Sequence, residues 1–370
     1  MATETIVSPG VLLQEVDRSF ITPGVDPSGL AIIGPSAKGP VEIPTLVRNY
    51  NDFKNIFGTT IESASNAYEY FTNLTVKNYF QNGGSTAIVT RVVTDRDNWA
   101  AASSSAIPAV SGDSTHENPF VLETLSKGLA NNSKGGSGTL TNGALDSGSA
   151  DNFRWEVTNI NAKAGTFTLV IRRGDDTTAK PIVLEQFTNC SLDPLSANYI
   201  SKKVGDQVFE YSSDKVVARG EFPNRSNFVR IKEVKTNLYE YQLADGTVNV
   251  DSSGVVFSQK LPNSGSGSFD GGTGGNLDGN PLFGKNITST NIQGLDTTDY
   301  TNAITLMKNK EEYKFKTLVV PGLNQQNHST TINTIIENTT GRGDSFFIAD
   351  LVPYGSNTST VTGEAGEIDT

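Results

Sequence analysis

The stretch from Asn66 to Val93, NAYEYFTNLTVKNYFQNGGSTAIVTRVV, constrains this chain more than any other. It predicts one helix, a glycine stop and one buried strand. Ala67, Tyr70, Phe71 and Leu74 share one helical face, and Tyr68, Val76, Tyr79 and Phe80 lie roughly opposite, so both sides are expected to be covered. Asn66 and Glu69 have the spacing of a variant N-terminal capping box. Asn82-Gly83-Gly84 ends the helix, because glycine takes the left-handed conformation that a helix C-terminus needs. Ala87, Ile88, Val89, Val92 and Val93 alternate little, which suits a strand buried on both faces. Such a unit packs a scaffold and carries no chemistry.

Similar patterns flank it and return near the other end. Leu30 to Ile33 predicts a short buried strand, and Asn51 to Gly58 a helical turn stopped by glycine. Tyr300, Ala303, Ile304 and Met307 recur at helical spacing. Phe315 to Val320 predicts a strand stopped by Pro321-Gly322, Ile332 to Ile336 a short helix, and Ser345 to Val352 another buried strand. Alternating strands and helices at both ends predict one layered α/β domain built from 23–98 and 286–370. Between them, 99–285 changes texture. Phe153 to Val157, Phe167 to Ile171, Phe228 to Ile231 and Tyr239 to Leu243 alternate like half-exposed strands. The expected fold class is therefore α/β plus β, the β part being a large insertion. Its edges, Ala100 to Ser114 and the Gly/Ser-rich Ser264 to Gly279, read as loose linkers. Residues 1–22 read as an extended arm, either a frayed terminus or a strand for a neighbouring subunit's sheet. Val7, Val11, Leu12, Leu13, Gln14, Glu15 and Val16 are its candidate subunit-contact residues, because a strand that cannot bury a face alone can pair with a neighbour's sheet.

Composition excludes several functions. The net charge of −11 argues against a grip on nucleic acid, which needs clustered Lys and Arg. No apolar run is long enough for a transmembrane helix, and the N-terminus does not read as a signal peptide. With one cysteine, Cys190, no intrachain disulfide can form. Two distant histidines, His116 and His328, both in polar loop sequence, and one cysteine argue against a catalytic triad or a zinc cluster. Gly271 to Asn276 is too short to be a calcium-binding repeat array. Gly284-Lys285-Asn286 lacks the spacing of a phosphate loop. Arg342-Gly343-Asp344 reads as a turn into the next strand, and Asp350 at that strand's end has no nucleophile or base beside it in motif. No enzyme, cofactor or metal is expected. Scattered aromatics such as Trp99, Trp155 and Tyr239 leave open a monomeric β-rich module that recognises glycans.

Several segments, taken in order, resemble the tail sheath proteins of contractile-tailed phages and related particles. They are Ser8-Pro9-Gly10-Val11 with Gln14-Glu15, Ala31 to Gly34 through Lys38-Gly39-Pro40, and Asp52-Phe53 with Phe57-Gly58. Tyr79 to Gly84 leading into Val89-Thr90-Arg91-Val92 is the most specific of them. Glu185 to Asn189, Ser191 to Pro194, Asn198-Tyr199-Ile200, Pro321-Gly322, and Arg342 with Asp344 complete the order. The family's long C-terminal region has no counterpart before the polar tail VTGEAGEIDT. The resemblance implies a structural subunit that polymerises in hexameric rings stacked helically around a tail tube. It implies partners in its own copies, the tube protein, the baseplate and the tail terminator, and a place in the virion tail after assembly in the host cytoplasm. It further implies contraction driven by interface free energy, an arm strand shared between subunits, and an outward-projecting insertion.

Overall fold

A computed structural model describes residues 29–63, 66–110, 118–128, 130, 139–146, 148–274 and 287–367. The arm residues Val7 and Val11 to Val16, together with His116 and Gly284 to Asn286, lie outside them. The chain is mixed α/β and strand-rich. The first part runs β1 (Leu30–Gly34), β2 (Thr45–Val47), α1 (Tyr50–Phe57), β3 (Thr60–Ser63), β4 (Asn66–Glu69), α2 (Phe71–Gln81) and β5 (Ala87–Arg91). The middle holds β6 (Ala101–Ser104), β7 (Phe120–Lys127), β8 (Phe153–Asn161), β9 (Thr166–Arg173) and β10 (Val183–Ser191). It continues with α3 (Ile200–Val204), β11 (Val208–Ser212), β12 (Lys215–Arg219), β13 (Val229–Val234) and β14 (Gly265–Asp270). The last part is α4 (Thr301–Met307), β15 (Thr317–Asn324), α5 (Gln325–Arg342), β16 (Phe346–Asp350) and α6 (Thr358–Glu367).

Strands from both ends share one five-stranded sheet, ordered β16-β15-β1-β5-β2. The first four run parallel and β2 antiparallel. Every residue of β1 and β5 is buried, because helices cover both faces and apolar side chains gain on either side. Leu30, Ile32, Ala87 and Val89 face a core with Phe53, Phe57 and Val76 of α1 and α2. Ala31, Ile33, Ile88, Leu318 and Val320 face a second core with α4 and α5, through Ala303, Ile304, Ile332 and Ile335. Each of the Val, Leu, Ile and Phe side chains among them contributes roughly 1.5–3 kcal/mol by burial.

The opening stretch needs correction. The helix starts at Phe71, not Asn66, and residues 66–69 form β4, paired antiparallel with β3. Tyr70, extended at φ −78 and ψ 151, separates strand from helix. Hairpin pairing supplies hydrogen bonds that a first helical turn would leave open. Glu69 still serves the turn by accepting from the Asn73 side chain. The helix buries one face, Thr72, Asn73 and Val76, and leaves Leu74 exposed, so it is not covered on both sides. Gly83 sits at φ +92 just past the helix end, as the stop requires.

Seven antiparallel strands make the second sheet, ordered β10-β9-β8-β14-β6-β7-β13. It curls so that Phe120 of β7 stacks on Phe167 of β9, their ring centroids 5.5 Å apart. The supposed linkers are strands. Gly265–Asp270 is β14 in mid-sheet, paired with β8 and β6, and Ala101–Ser104 is β6. Tertiary pairing overrides the weak strand preference of Gly and Ser. The chain therefore enters and leaves the insertion on adjacent strands, with Ser104 opposite Phe269. Tyr239 to Leu243 is a turn followed by one isolated bridge, not a strand.

Polar anchors join the two sheets. Lys38, 1% exposed, donates to the Asp151 carbonyl at 2.9 Å and lies 4.6 Å from the Phe153 ring centroid. Arg91 donates to the carbonyls of Gly39 (2.7 Å) and Lys127 (2.9 Å), its guanidinium against Trp99.

Three corrections concern the last part. β15 runs through Pro321-Gly322 to Asn324, because Pro321 lies where its missing N–H costs no ladder bond and Gly322 adopts φ +101. The helix around Ile332 is 18 residues long, kinked at His328. Its Thr- and Asn-rich surface hides its length from apolar periodicity. β16 alternates exposed and half-buried residues instead of being buried.

Candidate subunit interface

The carboxyl end of the parallel sheet is where α/β proteins commonly bind ligands, at the point where strand order reverses. Here β1 leads to β5 on one side, while β15 and β16 lie on the other. That crevice is filled by a strap, residues 288–295. Gln293, 1% exposed, accepts from the Phe71 N–H at 2.8 Å and donates to the Pro321 carbonyl at 3.4 Å. Its amide oxygen thus occupies the position at the α2 N-terminus that an anion would take. A Cβ on Gly322 would lie 2.9 Å from Gln293 Nε2. His328 closes the strap's other end. Its Nδ1 accepts from the Asn324 N–H at 3.1 Å, and its Nε2 lies 3.0 Å from the Thr288 carbonyl, so Nε2 carries the proton.

The remaining candidate residues are dispersed. Asp350 ends β16, where burial raises its carboxyl above the usual range. Cys190 is fully buried, its thiol pushed up to about 11 by desolvation. Arg342 forks onto Asp344 at 3.0 and 3.1 Å, donates to the Met307 and Tyr313 carbonyls, and lies over Phe315. Its guanidinium is thereby turned inward, so the Arg-Gly-Asp sequence presents no free arginine. Trp155 is 2% exposed, in the core that also holds Phe53 and Val76, which removes it as a sugar-stacking platform. Among the described residues, no group of three or more His, Cys, Asp or Glu could hold a metal ion. No described helix is long and apolar enough to cross a membrane.

Sheet edges distinguish the two halves. The outer strands of the seven-stranded sheet, β10 and β13, are sealed to each other. Glu185 of β10 accepts from Ser226 and Asn227 just before β13. The Ile231 N–H of β13 donates to the Gly205 carbonyl at 2.7 Å, and α3 packs against both strands. In the five-stranded sheet, β2 is an edge of only three residues. β16 is different. Its one neighbour among the described residues is β15. Phe346 is 77% exposed and Ile348 60%, on the face that α2 leaves bare, and Tyr354 just beyond is 97% exposed. On its other face, a groove of about 770 Å³ runs between β16 and α5, lined by Lys316, Ile336, Thr339, Phe347, Ala349 and Leu351. An open strand edge flanked by apolar side chains on both faces is a template for pairing with another chain. Phe346, Ile348 and Tyr354 were not legible as surface residues, since SFFIADLV reads as a buried strand and nothing local marks it as the sheet's edge.

No family model matches the sequence, and no curated protein matches it. Several solved structures are similar, two sheath tail proteins among them. One is a sheath tail protein from Listeria innocua, with TM-score 0.41 and 11% identity, over 86% of this chain and 45% of that one. The other is a sheath tail protein from Desulfitobacterium hafniense, with TM-score 0.37 and 10% identity, over 91% of this chain and 51% of that one. The chain spans about half the length of each.

Proposed function

We propose that the chain is a structural subunit of a contractile tail sheath. It polymerises with its own copies in hexameric rings stacked around a tail tube, meets the baseplate and terminator proteins at the two ends, and contracts to drive the tube through a host envelope. In this reading, 1–22 is the linking arm, 23–98 with 286–370 is the assembly body, and 99–285 projects outward in the virion tail. The order of sequence motifs supports it. The observation that carries it is β16, an edge with no second strand beside it among the described residues and with Phe346 and Ile348 exposed, on a molecule whose other large sheet has sealed its edges. Pairing there with a neighbour's 7–16 segment would contribute about 1 kcal/mol net per hydrogen bond, besides burying two large apolar side chains. No bond-making chemistry is needed, because the work of contraction comes from the difference between two subunit arrangements.

Cysteine trapping tests the contact. Val11→Cys in one tagged copy and Ile348→Cys in a differently tagged copy should form a disulfide between copies under mild oxidation. Buried Cys190 gives little background. Crosslinking confined to single copies carrying both substitutions, or none at all, contradicts the proposal.

A further inference from the structure

A cavity of about 410 Å³ lies beside β2, at the opposite end of the five-stranded sheet from β16. Residues 40–48 and α1 wall one side of it, and β7, β11 and the approach to β13 wall the other. β2 has β5 as its one strand neighbour among the described residues, and Thr45, Leu46 and Arg48 all line the space. The strand's outer edge therefore faces a walled groove. That groove is apolar on both faces of the sheet. Ile56 belongs to the core with α1 and α2. Ile43 belongs to the core with α4 and α5, and Leu46 and Phe209 pack against it. A strand edge with an apolar wall on each face fits one more extended segment, whose consecutive side chains point opposite ways.

We propose that the occupant is a segment of the same chain, Arg18-Ser19-Phe20-Ile21-Thr22. Residues 23–28, PGVDPS, carry two prolines and cannot donate a full ladder of hydrogen bonds. Reading back from β1, 18–22 is the first stretch that can. Phe20 and Ile21 are adjacent, so an extended backbone sends one to each apolar face. The span also closes. Leu30, Ala87 and Val47 stand in register across β1, β5 and β2, so the groove lies three strand spacings from the start of β1, about 14 Å. Seven residue steps from Thr22 to Gly29 reach up to about 23 Å. The β16 edge is equally near, but Phe346 and Ile348 on one of its faces meet no second wall. Docking at β2 sends residues 7–16 out from one end of the sheet, while β16 receives at the other. Each copy then gives and receives through different surfaces, which lets a row of copies continue. That consequence rests on the assembly reading, and the docking itself does not.

Hydrogen exchange on the full chain at high and low protein concentration, corrected for intrinsic rates, tests it. The amides of residues 19–22 should exchange about tenfold more slowly than those of residues 2–6 at both concentrations. In a Phe20→Ser, Ile21→Ser double variant that slowing should vanish and β2 should exchange faster, with β8 and β9 unchanged. Both substitutions lie outside the two cores, so the variant keeps its fold. Residues 19–22 exchanging as fast as 2–6 in the wild type, or β2 protection that the variant leaves unchanged, overturns the proposal. Protection lost on dilution also overturns it, because the segment then lies on another copy. Failure of the Val11 to Ile348 disulfide, by contrast, strikes the assembly reading and leaves this docking standing.

Discussion

Asp299 shows what crowding does to a single carboxylate here. Burial, and then the nearby charges of Asp296, Asp95 and Glu42, push it up to about 6. A carboxyl raised in the folded state contributes stability that is full below about 3.8 and lost as pH rises through 6. Asn at this position keeps an acceptor for the Asp296 N–H and drops the charge. Because Asp299 is half exposed, solvent screening shrinks the effect. Asp299→Asn should therefore stabilise the fold by about 1 kcal/mol at pH 7 and by nothing at pH 3.5, read by urea unfolding at both values. Lys38 runs the other way. Burial is its largest influence and lowers its ammonium to about 8, against a partial offset from Asp151. Between pH 8 and 10.5 the unfolded chain holds this proton and the folded one does not, so stability rises with pH in that window. Unfolding at pH 8 and 9.5 should show a gain of about 2 kcal/mol in the wild type that Lys38→Met lacks.

At the scale of elements, strands and helices whose own residues demand burial were legible. The runs in β1, β5 and β15 and the periodicity of α1 and α4 point to their structures directly. β14 was not, because SGSGSFD has the composition of a linker. Its place is dictated by neighbours. A Cβ on Gly267 would lie 2.3 Å from Ser105 Oγ and 2.6 Å from the Trp155 ring, so the glycine admits the indole against the backbone. Gly267→Val should destabilise the β-rich half by about 3 kcal/mol, where a flexible linker would tolerate it. Thermal unfolding followed by Trp fluorescence distinguishes the two. The N-terminal limit of α2 was misread for a related reason. Residues 66–69 satisfy a capping pattern locally, and pairing with β3 outweighs it. The candidate interface was half legible. The apolar character of β16 is written in the sequence, but whether a neighbour covers a strand is a property of the sheet, and the arm residues predicted to meet it lie outside the described structure.

At the scale of the molecule, two sheets are joined by Lys38, Arg91 and the paired strands β6 and β14, and among the described residues one has sealed edges and the other an open edge. An account in which function is assembly places the sensitivity at that open edge. Phe346→Asp with Ile348→Asp should leave the thermal midpoint within a few degrees of wild type, since both side chains are already in water, while abolishing association. The most direct measurement is negative-stain electron microscopy of the purified chain at micromolar concentration, beside this double variant. Rings or tubes from the wild type and single particles from the variant are the predicted result. A wild-type chain that stays monomeric, or a variant that still forms the same polymers, would contradict the account.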